Sequence, residues 1–306
     1  MSAAQSPARI EIERPGGTLV VHELAAGSGG PVVVLLHGIT ANAYSWLAAA
    51  SSIAAAHPDA TILAPDLRGR ADSRGITGPW GLAAQAGDVA AIIERSGGAG
   101  YLIGHSMGAF IAALAVAGHG ELVAGTVLVD GGLAFPTPPG LDIDATLTAT
   151  IGPAMQRLSM TFADAEAYLA FWADHPAVGA LLAGPSAADA RAYLLHDLVD
   201  TADGVGSSCV LDAVRADGAD VLADPASQAA VRTAAEAGAG IEFLWAARGM
   251  LNEQQGLYDE QRLAAIEVPK AVGVTAIPNV NHYSVLFEQA SVDAIVAALG
   301  RLLARH

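Results

Sequence analysis

The chain has one cysteine, Cys209, and one lysine, Lys270, and only 15% of its 306 residues are charged. A lone cysteine closes no internal disulfide, which agrees with a reducing compartment, and Cys209 reads as a small buried hydrophobe. The near absence of lysine beside abundant arginine and alanine reads as the bias of a GC-rich, bacterial coding genome. No apolar run approaches the length of a membrane span. The first nine residues lack a basic n-region and an apolar h-region, so a cytoplasmic protein without a membrane partner is expected. Basic residues number 15 against 31 acidic ones, for a net charge of -16 that repels phosphate backbones and anionic lipid, so no nucleic acid is expected either. HExxH, paired CxxC, a Walker loop and a G-x-G-x-x-G opening a helix are all missing. Gly27-Ser28-Gly29-Gly30 precedes a strand and does not follow one. No metal and no nucleotide cofactor is therefore expected.

What is present is a hydrophobic majority, 53%, enough for an ordered globule with a large core. Residues 9 to 23 alternate apolar and polar around Pro15-Gly16-Gly17, the pattern of an antiparallel hairpin at a sheet edge. Strands are then predicted at about 32 to 36, 61 to 64, 100 to 104 and 125 to 130. Between them lie Ala-rich helical segments at about 44 to 56, 81 to 96 and 107 to 118, the alternation of a doubly wound α/β sheet. The stretch Phe135-Pro136-Thr137-Pro138-Pro139-Gly140 breaks the pattern. From about 141 to 239 only helical periodicity is visible. Strands at 241 to 246 and 271 to 277 and an amphipathic helix over 284 to 304 complete the chain.

Tyr101-Leu102-Ile103-Gly104-His105-Ser106-Met107-Gly108 places a serine in G-x-S-x-G between an apolar strand and an Ala-rich helix. A strand that turns at once into a helix strains the serine backbone, and a Cβ on either flanking glycine would collide with the turn. The hydroxyl is thereby lifted clear of the sheet, and the Met107 amide, unpaired at the helix start, faces developing negative charge. Upstream, Val32-Val33-Val34-Leu35-Leu36-His37-Gly38-Ile39 runs from a buried strand into His-Gly; downstream, a late strand ends in Asn279-Val280-Asn281-His282. His37, Asp66, Ser106, Asp130 and His282 all fall just past strand ends, where α/β sheets gather function.

The order serine, acid, histidine, with His-Gly after the third strand and G-x-S-x-G after the fifth, resembles the α/β-hydrolase family over about residues 9 to 303. The resemblance implies a mostly parallel eight-stranded sheet with flanking helices. It further implies a core of residues 1–132 and 240–306, with 133–239 inserted as a helical cap over the site. It makes Ser106 the nucleophile, His282 the general base, and the backbone amides of Ile39 and Met107 the oxyanion hole. The family most often takes its acid from the loop after the seventh strand, where this chain has Asn252. Some members take it from the end of the sixth strand, where Asp130 precedes Gly131-Gly132. Asp130 is therefore the preferred acid, with Glu253 and then Asp259 as alternatives.

His37 and His105 are read as structural, His105 pointing away from the serine into the packing beneath it. Asp66-Leu67-Arg68-Gly69-Arg70 is read as tying loops together, and Asp72, Ser73 and Arg74 as a solvated loop. Phe162, Tyr168, Phe171, Trp172 and Tyr193 are candidates for an apolar pocket, with ordinary core packing as the competing role. The expectation is a cofactor-free serine hydrolase, monomer or homodimer, acting on a small to medium, largely apolar carboxylic ester or lactone. Alternatives on the same triad are carbon-carbon hydrolysis of a diketone and perhydrolysis. A non-catalytic ligand-binding protein of the same fold is a further alternative.

Overall fold

The computed structural model describes residues 7–136 and 140–305. The start of the N-terminal segment, residues 1–6, and the middle of the breaker-rich stretch, residues 137–139, lie outside them. Eight strands form the main sheet: β1 (Ala8–Arg14), β2 (Gly17–Ala25), β3 (Val32–Leu36), β4 (Thr61–Pro65), β5 (Gly100–His105), β6 (Val123–Val129) and, after a long excursion, β10 (Gly240–Ala246) and β11 (Gly273–Ile277). Their order is β1-β2-β4-β3-β5-β6-β10-β11. The β1/β2 hairpin pairs antiparallel, β2 joins β4 antiparallel, and every other pairing is parallel.

Helices α1 (Leu47–Ala56), α2 (Leu82–Ser96) and α3 (Met107–Gly118) follow β3, β4 and β5. Because side chains alternate along a strand, β3 serves both faces of the sheet. Val33 and Leu35 join one buried cluster with residues of α1, and Val32, Val34 and Leu36 join the other with residues of α2 and α3. Helices on both faces are why these strands read as unbroken apolar runs.

Between β6 and β10 lie α4 (Ile143–Gln156), α5 (Ala165–Ala173), α6 (Gly179–Ala183), α7 (Ala187–His196), α8 (Leu211–Ala223) and α9 (Pro225–Glu236). This segment is not helix alone. β7 (Thr161–Phe162), β8 (Leu198–Thr201) and β9 (Gly204–Ser207) make a small antiparallel sheet in the order β7-β9-β8. Strands of two and four residues are too short to impose a period on the sequence. α4 breaks near its end, where Gly152 takes φ 37° and ψ -110° before Pro153. α9 packs on α3 at the flank of the main sheet. α10 (Glu260–Ala265) precedes β11, and α11 (Gln289–Leu303) closes the chain against α1. Among the described residues no helix is long and apolar enough to cross a membrane.

Candidate active site

Ser106 sits between β5 and α3 at φ 54° and ψ -121°, a conformation costly for any residue with a Cβ. The glycines around it are forced by close approach. A Cβ on Gly104 would lie 2.2 Å from the Gly108 carbonyl oxygen, and one on Gly108 would lie 2.1 Å from that of Leu36. A Cβ on Gly131 would meet the Ser106 carbonyl oxygen at 2.3 Å, so the chain leaving β6 runs directly against the serine turn. That contact fixes Asp130, which itself adopts φ 46°, beside Ser106.

Asp130 is buried. Its Oδ1 accepts the Ala246 amide at 3.0 Å, and its Oδ2 lies 2.7 Å from Nδ1 of His282. A carboxylate has no hydrogen to give, so His282 donates from Nδ1, which leaves Nε2 as the acceptor nitrogen of the neutral ring. His282 and Ser106 line the same small cavity of about 40 Å³ without a direct hydrogen bond between them.

The other acid candidates are engaged elsewhere. Glu253 Oε2 accepts the Leu251 amide at 2.9 Å, and Asp259 caps α10 through the Arg262 amide. The Asn252 side-chain oxygen accepts from Arg248 at 2.7 Å and from Asn281 at 3.3 Å. Asn252 thereby ties the loop after β10 to the loop that carries His282.

His37 braces the next strand end. Its Nδ1 donates to the Gly38 carbonyl at 2.8 Å, and its Nε2 accepts the Leu67 amide at 2.9 Å. Burial lowers its pKa to about 4, which keeps the neutral ring this geometry needs. The Ile39 amide donates to no acceptor among the described residues. The Ile39 carbonyl accepts two bonds from the buried Arg70 guanidinium, at 2.9 and 2.8 Å, and Arg70 also pairs with Asp217 of α8. Arg70 was legible as a residue that ties loops; its partner Asp217, 147 residues downstream, carried no sequence signal.

His105 is buried but does not simply fill space beneath the turn. Its Nε2 lies 2.8 Å from the His282 carbonyl oxygen, and the two rings are 4.6 Å apart. Since a carbonyl only accepts, His105 donates, and burial holds its pKa well below the usual histidine value. Cys209 is buried and its thiol is pushed up to about 11, chiefly by desolvation.

A larger cavity of about 290 Å³ opens on the other side of Ser106. It is lined by Ile39 and Met107 together with Leu133 and Phe135, Leu147 and Ile151 of α4, and Val221 of α8. Asp130 is its only charged lining residue among the described residues. Of the five aromatics singled out from the sequence, Tyr193 alone reaches a cavity at Ser106, the smaller one. Phe162, Tyr168 and Trp172 are buried core and Phe171 packs on them. The aliphatic lining of α4 and α8 was missed, because which helix face lines the cavity is settled by tertiary packing and not by local pattern.

Comparison with known proteins agrees with this architecture. A family model described as the alpha/beta hydrolase fold matches residues 31–162. The chain has the α/β-hydrolase fold. No curated protein sequence matches the chain. Among solved structures, this chain is similar to an E-2-(acetamidomethylene)succinate hydrolase, at 21% identity and TM-score 0.70, over 97% of this chain and 100% of the other. It is similar to the thioesterase domain from the curacin biosynthetic pathway, at 16% identity and TM-score 0.70, over 98% and 100%. It is also similar to a thermophilic esterase from Thermogutta terrifontis, at 17% identity and TM-score 0.66, over 97% and 98%.

Proposed function

We propose that this protein of α/β-hydrolase fold is a serine hydrolase that cleaves a carboxylic ester or lactone through an acyl-enzyme on Ser106. The observation that carries the reading is the 2.7 Å contact between His282 Nδ1 and Asp130 Oδ2, on a histidine that shares a cavity with Ser106. Ser106 Oγ attacks the carbonyl carbon as His282 Nε2 takes its proton, and Asp130 stabilises the imidazolium that forms. The amides of Ile39 and Met107 receive the oxyanion; each such donor is worth about 3 kcal/mol of transition-state stabilisation. Arg70, bonded through the Ile39 carbonyl, keeps the first of these amides in place. His282 returns its proton to the departing alcohol, then activates water to release the acid. No cofactor enters any of these steps.

The substrate is small to medium in size and largely apolar. Its bulkier group occupies the cavity of about 290 Å³, whose lining is aliphatic and aromatic with hardly any charge. Residues 133–239 act as a cap, since α4 and α8 supply much of that lining. The esterase and the succinate-derivative hydrolase among the similar structures support hydrolysis as the reaction class.

The direct test is hydrolysis of p-nitrophenyl acetate and butyrate by wild type, Ser106→Ala and Asp130→Asn, each checked for folding. Ser106→Ala should be inactive and Asp130→Asn reduced by orders of magnitude. A folded wild type inert on both esters would move the reading to lactones or diketones. Full activity in Asp130→Asn would remove Asp130 from the mechanism.

A further inference from the structure

A second cluster of chemistry-bearing side chains lies outside both cavities at Ser106. His22 projects from β2, Asp66 follows β4, Asp72 follows Asp66 in the same loop, and His196 ends α7. One donor atom from each lies within 4.8 Å of all the others. Nε2 of His22 and Nε2 of His196 are each 2.9 Å from the same oxygen, Oδ2 of Asp66, and Asp72 Oδ2 is 3.7 Å from His22 Nε2. His22 and Asp66 are buried, His196 nearly so, and Asp72 is about one third exposed.

Two imidazoles aimed at one carboxylate oxygen, with a second carboxylate alongside, form the donor set of a borderline divalent cation. Zinc takes imidazole nitrogen and carboxylate oxygen at about 2.0–2.2 Å in a tetrahedron, which sets neighbouring ligand atoms about 3.3 Å apart. The three separations of 2.9, 2.9 and 3.7 Å bracket that spacing. With neutral rings the cluster holds two carboxylate charges, and the facing cation among the described residues is Arg9, half exposed, 3.3 Å from Asp72. Tyr44 stacks on His196 with ring centres 4.0 Å apart and meets His22 edge-on, which fixes both ring planes. Nδ1 of His22 is buried without a hydrogen-bond partner, so Asp66 alone holds the hydrogen at Nε2 and nothing at Nδ1 opposes its transfer there once an ion takes the place beside Asp66. Nε2 can therefore surrender its hydrogen and the ring carry it at Nδ1 instead.

We infer that His22, Asp66, Asp72 and His196 form a zinc-type metal site that clasps the segment between β6 and β10 to the main sheet. The ion replaces the two hydrogens now shared with Asp66 Oδ2; a neutral ring moves its proton from Nε2 to Nδ1, and a ring that begins as imidazolium keeps the Nδ1 proton and releases the Nε2 proton to solvent. Three ligands come from the sheet side of the molecule and His196 alone from the inserted segment. The ion thus ties two parts of the chain that are otherwise held at this point by hydrogen bonds and ring packing.

The test is calorimetric titration of chelator-stripped, tag-free full-length protein with zinc chloride at neutral pH, with thermal melting in parallel. Wild type should take up one zinc per chain, and zinc should raise its Tm. Asp72→Asn and His196→Gln, both at the less buried edge of the cluster and so compatible with folding, should each weaken binding by about 100-fold or more and abolish the rise in Tm. Cobalt(II) in place of zinc should give the visible absorption of a tetrahedral nitrogen and oxygen site. Uptake of less than one zinc per wild-type chain would overturn the inference. So would stoichiometric uptake unchanged in both variants, which would place the ion among other acidic groups.

Discussion

Two buried aspartates, each just past a strand of the main sheet and each facing histidine, are set in different surroundings. Asp130 after β6 gives one oxygen to the Ala246 amide and the other to a single imidazole, His282, whose far side opens on the cavity of Ser106. Asp66 after β4 gives one oxygen to the Ala43 amide and concentrates two imidazoles, at 2.9 Å each, on the other. Neither His22 nor His196 lines a cavity at the serine. Residue types and burial are alike. What separates the proposed proton-transfer pair from the proposed clasp is the number of rings per oxygen and what lies beyond them.

Substitutions can break this comparison. The largest effect is expected from Asp130→Asn or His282→Ala, which should lower kcat for p-nitrophenyl butyrate by about 10⁴-fold while the fold persists by circular dichroism. Asp66→Asn should do the reverse, costing on the order of 3 kcal/mol of stability in denaturant titration because a buried hydrogen-bonded charge is lost. Its kcat should fall at least 100-fold less than that of Asp130→Asn. Equal losses of kcat in the two variants would erase the distinction.

Acid should weaken the fold through a fourth histidine, His37. His37 has a pKa of about 4 when folded against 6.5 in the unfolded chain. Between those values the unfolded state binds a proton that the folded state does not, so stability falls as pH drops from about 6.5 to about 4. The full contribution is roughly 3 kcal/mol. His37→Gln, measured by urea titration across that range, should flatten the dependence. Next in size, Val221→Trp should narrow the larger cavity and lower kcat/KM for an octanoate ester relative to an acetate ester by roughly tenfold. The smallest effect belongs to Asn252→Asp, which should change kcat by less than about threefold, because Asn252 bonds Arg248 and Asn281 and not His282. A large gain in kcat would show that the loop after β10 competes with Asp130 for the histidine.

The sheet was legible because its strands are covered on both faces, so Val32–Leu36 and Val123–Val129 stand out as continuous apolar runs. The turn at Ser106 was legible because close backbone approach leaves no room for a Cβ at Gly104 and Gly108, a constraint written into residue identity. The inserted segment was not. β8 and β9 meet through the two-residue turn Ala202-Asp203, within the stretch where only helical periodicity was visible, and the approach of Gly204 to the Phe162 carbonyl joins them to β7. Arg70 with Asp217, and Asp66 with His22 and with His196, join positions 147, 44 and 130 residues apart. No local period or spacing encodes such pairs; only the folded chain brings them together.

The most direct measurement of the central claim is reaction of the native protein with a fluorophosphonate, followed by peptide mass spectrometry and by the labelling rates of Ser106→Ala and Asp130→Asn. The account predicts one adduct per chain on Ser106, none in Ser106→Ala, and labelling slowed by orders of magnitude in Asp130→Asn. An adduct on another residue, or labelling of Asp130→Asn at the wild-type rate, would contradict it.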